Sequence, residues 1–288
     1  MKKAAYFALV IGISITYMLG PTPAEVKLDP TPTSISIRID SLDDWIAKRE
    51  SSFRTLKPNN EARIEWYSDS VAVTEYAVVY LHGFTASGEE GNPVHRAFAK
   101  RYGCNMYLPR LYGHGLDTTE PLIDLTPDNY LQSAKEAIAV GKQIGKKVIL
   151  MCTSTGGTLG LYLAAHDPEI DAIICYSPNI DIYDQNSRFL TRPWGLQLVR
   201  LIMGSNYRQY EAPSAFNKDA EHQDNVVSVD AMRQMMPQLA TPNAQKQMVE
   251  FPVGAHVLTN PLRNPDVEPV KLTSFQFAED VIGLKPIN

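Results

Sequence analysis

The chain has 288 residues, 44% of them hydrophobic and 20% charged, with a formal net charge of −5. That length and balance fit one α/β domain with a sizeable core and exclude a disordered or fibrous chain. The mild acidity gives no reason to expect nucleic acid or an anionic membrane surface as a partner. The three cysteines, Cys104, Cys152 and Cys175, show no CxxC or Cys/His spacing and are few, so neither a metal site nor a disulfide framework is expected; no cofactor is expected either.

Lys2 and Lys3 precede an uncharged stretch from Ala4 to Ala24, apolar from Ala4 to Gly20. A positive segment ahead of an apolar one marks an export signal or an uncleaved anchor. Pro21 disfavours cleavage after Gly20, and Thr22-Pro23-Ala24 is a weak small-residue site. Residues 1–24 are therefore read as a signal or membrane anchor that holds the rest outside the cytoplasm. Its core of roughly 17 residues sits at the lower limit for a spanning helix. Residues 25–60 read as a Pro-rich linker and a short helix, which Ser41-Leu42-Asp43-Asp44 opens as a capping box.

From about Glu61 strand and helix alternate. Ile64, Trp66 and Tyr67 predict a first strand. Tyr76–Leu81 is a continuous apolar run, as a buried parallel strand should be. Helical spacing covers Pro93 to Tyr102, and Asn105 to Leu111 is a second strand. Thr126-Pro127-Asp128 is an N-cap with Pro at the first helical position, opening an amphipathic helix to about Ile144. Lys147–Cys152 and Ile170–Tyr176 are further strands. Pro193–Met203 is an apolar-rich helix, placed over a pocket or in the core. Val229–Leu239 is a helix, Gln247–Pro252 a short strand and Pro269–Ile282 a closing helix. The order argues for an α/β fold with a mostly parallel sheet and helices on both faces.

The chemistry centres on Cys152-Thr153-Ser154-Thr155-Gly156-Gly157, where an apolar strand stops and a helical pattern starts. A small-x-Ser-x-Gly turn exposes the hydroxyl and lets strand and helix backbones crowd together, as a nucleophile elbow requires. The competing reading is a serine that caps a helix. A serine nucleophile needs an imidazole to take its proton. His256, in Gly254-Ala255-His256 after the last strand, is placed for that. A carboxylate must orient the imidazole; Asp224 is the first choice, with Asp181 and Asp184 as alternatives. The developing oxyanion needs two backbone N–H groups. Thr155 offers one, and Phe84 in Leu81-His82-Gly83-Phe84 the other; His82 reads as a residue that holds the loop.

Together with Gly113-His114-Gly115, these motifs resemble the α/β-hydrolase superfamily over roughly residues 61–288. The likeness is greatest to the serine-hydrolase branch of monoacylglycerol lipases and bacterial carboxylesterases. The resemblance implies an α/β-hydrolase domain with a small helical cap inserted at about 181–219. It implies Ser154, Asp224 and His256 as catalytic residues, Phe84 and Thr155 as oxyanion donors, and no metal. The substrate class implied is a small-molecule acyl ester, such as an acylglycerol, cleaved through an acyl-enzyme. Gly113-His114-Gly115 falls where the family has a structural turn, so His114 stays outside the catalytic set. Two departures stand out. Cys152 replaces a glycine of the family, and Tyr210–Gln223 lacks the apolar run that precedes the family's acid. The second leaves open another class of protein, a non-catalytic or weakened α/β-hydrolase scaffold that binds a ligand or partner.

Overall fold

The computed structural model describes residues 2–53, 55–204, 224, 226–252 and 255–287. The chain divides into two compact units, Met1–Lys27 with Asp184–Lys218, and Leu28–Tyr183 with Asp219–Asn288.

In the smaller unit, helix α1 spans Lys2–Met18. A 3-10 turn, Gln185–Thr191, and helix α6, Gly195–Met203, follow later in the chain. Trp194 joins these pieces: its backbone N–H donates to Pro21 O and its indole N–H to Thr16 O, each at 3.0 Å. At 1.5 Å per residue, α1 is about 26 Å long, against a bilayer core of about 30 Å. Among the described residues no helix is long and apolar enough to cross a membrane. None of the described helices is the spanning helix that the expected N-terminal anchor would need. The expected cap region lies outside the described residues from position 205 onward.

The larger unit holds the remaining elements. They are α2 (Leu42–Ser51), β1 (Arg63–Glu65), β2 (Thr74–Leu81), α3 (Val94–Tyr102) and β3 (Asn105–Leu108). Then come α4 (Pro127–Ile144), β4 (Gly145–Thr153), α5 (Thr155–Ala164), β5 (Ile170–Tyr176), α7 (Val229–Met235) and α8 (Glu268–Phe277). The sheet runs β1-β3-β2-β4-β5, with β1 antiparallel to β3 and every other pairing parallel. The expected α/β architecture is present.

Alternation along the central strands builds two cores. Ala77, Val79 and Leu81 of β2, with Val148, Leu150 and Cys152 of β4, face the layer that holds α4. Val78 and Tyr80, with Ile149 and Met151, face α3 and α8. Side chains on both faces are fully buried, which is why these strands read as unbroken apolar runs. Each buried Val, Leu, Ile or Met among them stabilises the fold by roughly 1.5–3 kcal/mol. Helix α4 begins with a full capping box: Thr126 Oγ1 accepts the Asn129 N–H at 3.2 Å, and Asn129 Oδ1 accepts the Thr126 N–H at 2.8 Å.

Two expected local features differ. Ser41 makes no side-chain cap, because a 3-10 turn, Ile39–Ser41, leads into α2 and its hydroxyl turns to Asp40 Oδ1 at 3.1 Å. Gln247–Pro252 forms no strand. A cavity of about 860 Å³ is lined both by β5 and by Gln247–Phe251. Among the described residues β5 pairs only with β4, so this segment does not extend the ladder.

Candidate active site

Parallel register brings the ends of the strands together. Leu81 pairs with Cys152, and Thr153 with Tyr176, so the loops after β2, β4 and β5 leave the sheet side by side. In open α/β sheets this carboxyl edge is where ligands bind.

Ser154 sits between β4 and α5 with φ 51° and ψ −119°. A non-glycine residue held there costs on the order of 1–3 kcal/mol and persists only when its surroundings impose it. They do so here. The Ser154 N–H donates to Tyr176 O at 3.0 Å, and the Ser154 carbonyl accepts the Gly157 and Asn179 N–H groups at 2.9 and 3.0 Å. The small neighbours are spatial necessities. A Cβ on Gly156 would lie 2.0 Å from Leu81 O, and one on Gly157 2.7 Å from Pro178 Cβ. The cysteine that replaces the family's glycine is accommodated by another glycine: a Cβ on Gly160 would lie 2.7 Å from Cys152 Sγ. Burial pushes the Cys152 thiol well above its ordinary range, so it stays protonated. The capping alternative for Ser154 fails, because its side chain makes no cap hydrogen bond.

Thr155 is the first residue of α5, where backbone N–H groups lack intrahelical partners. Across the edge, His82 is fully buried. Its Nε2 accepts the Leu111 N–H at 3.2 Å, so Nδ1 carries the proton and donates to Gly83 O at 2.9 Å. Burial, then the neighbouring His114, lowers its pKa to about 3. His82 is thus a neutral brace for the loop. The Gly83 N–H is taken by Glu90 Oε2 at 2.7 Å. Phe84, the expected donor, follows at once, with its ring edge-on to His114. Gly113 and Gly115, at φ 73° and 70°, form the turn that places His114. The His114 ring stacks on Tyr130, with centroids 5.3 Å apart.

The candidate acid and base meet. His256 Nδ1 donates to Asp224 Oδ2 at 2.8 Å, although 32 residues separate them. Asp224 Oδ1 accepts the Val226 and Val227 N–H groups at 2.9 and 3.1 Å. An antiparallel bridge between Ile182 and Val227 fixes that turn against the segment after β5. Burial pushes the Asp224 carboxyl up. The His256 hydrogen bond and charge, with the two backbone N–H groups, outweigh burial and hold it below its ordinary range. With Nδ1 engaged, Nε2 is the imidazole nitrogen left to accept a proton. The two alternative acids have other work: Asp181 Oδ1 accepts the Ile182 N–H, and Asp184 Oδ1 the Asn186 N–H. Gly254, beside His256, and Tyr210–Gln223, ahead of Asp224, lie outside the described residues.

Residues Glu90, Thr259 and Asn260 carry no motif, yet they tie the site's loops together through the Gly88–Gly91 turn. Nothing in the sequence marks them, since their contacts span up to 171 positions.

The profile of the alpha/beta hydrolase family matches residues 78–273. The match covers more than half of the chain, which therefore belongs to that family. A thermostable monoacylglycerol lipase from Bacillus sp. (strain H-257) is 36% identical over 105 residues, 36% of this chain and 41% of the lipase. The chain thus spans less than half the length of that relative. The ferulic-acid-bound Est1E structure from Butyrivibrio proteoclasticus matches with a TM-score of 0.51 and 16% identity, over 77% of this chain and 95% of Est1E. That likeness shows the fold.

Proposed function

We propose that the protein is a serine hydrolase that cleaves carboxylic esters through an acyl-enzyme. The observation that carries the reading is the 2.8 Å hydrogen bond from His256 Nδ1 to Asp224 Oδ2, in the same unit as the Ser154 elbow. Ser154 Oγ attacks the acyl carbon while His256 Nε2 takes the hydroxyl proton. The tetrahedral intermediate places its oxyanion on the N–H groups of Phe84 and Thr155. Collapse breaks the ester C–O bond, and His256 returns the proton to the departing alcohol. Water then attacks the acyl-serine, with His256 as base, and releases the acid. Asp224 keeps the imidazole in the right tautomer and stabilises its charged form. The monoacylglycerol lipase similarity favours an acylglycerol or a comparable acyl ester as substrate. The apolar N-terminal segment after Lys2 and Lys3 supports export, with the hydrolase outside the cytoplasm.

A fluorophosphonate probe and a series of p-nitrophenyl esters test the reading. The wild type should be labelled and should turn over esters, and Ser154→Ala should do neither. A well-folded wild type that neither labels nor hydrolyses would be a binding scaffold instead.

A further inference from the structure

The 3-10 turn Gly88–Gly91 follows the oxyanion loop. Within it, Glu90 Oε2 accepts two hydrogen bonds, from the Gly83 N–H at 2.7 Å and from the Tyr80 hydroxyl at 3.2 Å. The Tyr80 oxygen lies 2.8 Å from Thr153 Oγ1, on the residue before Ser154. The backbone carbonyl of Glu90 accepts the Thr259 hydroxyl at 2.9 Å, and that of Glu89 the Asn260 amide at 3.1 Å. One turn therefore touches the loop that carries Phe84 and the loop that carries His256, and reaches the strand that delivers Ser154 through the Tyr80 hydroxyl. Glu90 and the nucleophile also flank the same glycine. A Cβ on Gly83 would lie 3.0 Å from Glu90 Oε1 and 3.1 Å from Ser154 Cβ.

The neighbouring carboxylate makes the contrast plain. Glu89 faces outward, where Arg96 grips it with two nitrogens at 2.7 and 2.8 Å. Its hydrogen bond to Arg96 lowers its pKa to about 2, against the effect of burial and with help from Arg63. Arg96 also holds Glu65 of β1 at 2.7 Å, so the turn is clamped from outside. Glu90 turns inward. Burial raises its carboxyl above the ordinary range, against the pull of the Gly83 N–H, the Tyr80 hydroxyl and the charge of His256. A carboxyl set where ionisation is disfavoured is unfavourable for the fold, and such groups gather at functional sites.

We propose that Glu90 is a positioning residue of the active site, which holds the oxyanion loop in register with the nucleophile strand and the histidine loop. Because Glu90 takes the Gly83 N–H, the next amide, that of Phe84, is the one left for the oxyanion. The inference rests on the ester-hydrolase reading of Ser154. A misplacement of about 1 Å at such a donor costs on the order of 10²-fold in rate.

Two variants and two readouts test it. Glu90→Ala should lower kcat roughly 10- to 100-fold and leave KM within about twofold. Glu90→Gln keeps an oxygen for the Gly83 N–H and should recover kcat to within a few-fold of wild type. Wild-type kcat in E90A, or equal losses in E90A and E90Q, overturns the proposal. Hydrogen exchange at the Gly83 amide reads the loop independently of turnover. It should accelerate at least about tenfold in E90A and stay near wild type in E90Q, one decade being about 1.4 kcal/mol of opening free energy. Unchanged exchange in E90A overturns the proposal. A wild type that never reacts with the fluorophosphonate refutes the ester-hydrolase reading, and the exchange arm alone then decides this one. If E90A does not fold, Tyr80→Phe takes its place, with a several-fold loss of kcat at constant KM expected and a wild-type kcat overturning.

Discussion

Asp224 divides its two carboxylate oxygens between the backbone and His256: Oδ1 takes two N–H groups, and Oδ2 takes the imidazole at 2.8 Å. The backbone bonds fix the carboxylate, and the carboxylate then fixes the ring. Asp224→Asn keeps the size but places an amide against the imidazole, which favours the wrong tautomer. We expect kcat to fall by roughly 10⁴-fold with little change in KM, measured on a soluble p-nitrophenyl ester. A loss under tenfold would remove Asp224 as the orienting acid.

Stability should depend on pH through buried groups of both signs. The folded-state pKa of His82 is about 3 and that of His95 about 4, each below the ordinary histidine value of 6.5, with burial the main cause. In both, the neutral ring is the folded form, so stability is fully present above pH 6.5 and declines as the unfolded chain takes up protons below it. Asp224 adds to the decline further down. Its lowered folded pKa gives stability that is present above the unfolded value of about 3.9 and is lost as pH falls through the folded one. Urea midpoints in the wild type should stay level from pH 7.5 to about pH 6.5 and fall from there to pH 4. The fall should be smaller in His82→Gln, and equal slopes would show that His82 is not buried neutral.

Gly156→Ala asks for space that does not exist. Its Cβ would lie 2.0 Å from the Leu81 carbonyl oxygen, which is backbone and cannot rotate away. Overpacking of this kind typically costs about 1–3 kcal/mol. Because Leu81 leads into the oxyanion loop, the same shift should slow fluorophosphonate labelling. Guanidinium midpoints and labelling rates should drop together. A variant that labels at the wild-type rate with an unchanged midpoint would mean that the elbow is looser than described.

Much of this was legible in the sequence because it is local. Ala77–Leu81 and Val148–Cys152 are buried on both faces, so they announce themselves as apolar runs. The elbow shows as small residues around Ser154, because the crowding of Gly156 on Leu81 leaves room for nothing else. Other features depend on what lies across space. Gln247–Pro252 reads as a strand, yet pairing needs a neighbour, and the segment and β5 line one cavity without pairing. Ser41 has the residues of a capping box, but the preceding turn takes over that end of the helix. Glu90 looks like any solvated glutamate in a polar loop. Its contacts with Gly83, Tyr80 and the Thr259 hydroxyl exist only once the chain has closed on itself.

The backbone at Ser154, with φ 51° and ψ −119°, has a consequence for how such a protein can change over time. Glycine reaches that conformation without a Cβ penalty, whereas alanine keeps the strain. Ser154→Gly should therefore be the more stable of the two inactive variants, by on the order of 1 kcal/mol, despite glycine's freer unfolded chain. Parallel denaturation curves of the two proteins would read the difference, and a more stable alanine variant would contradict it. Drift that rewarded stability alone would remove the serine. Where Ser154 is retained, the proposed need for its hydroxyl in turnover opposes the backbone's own preference at that single position.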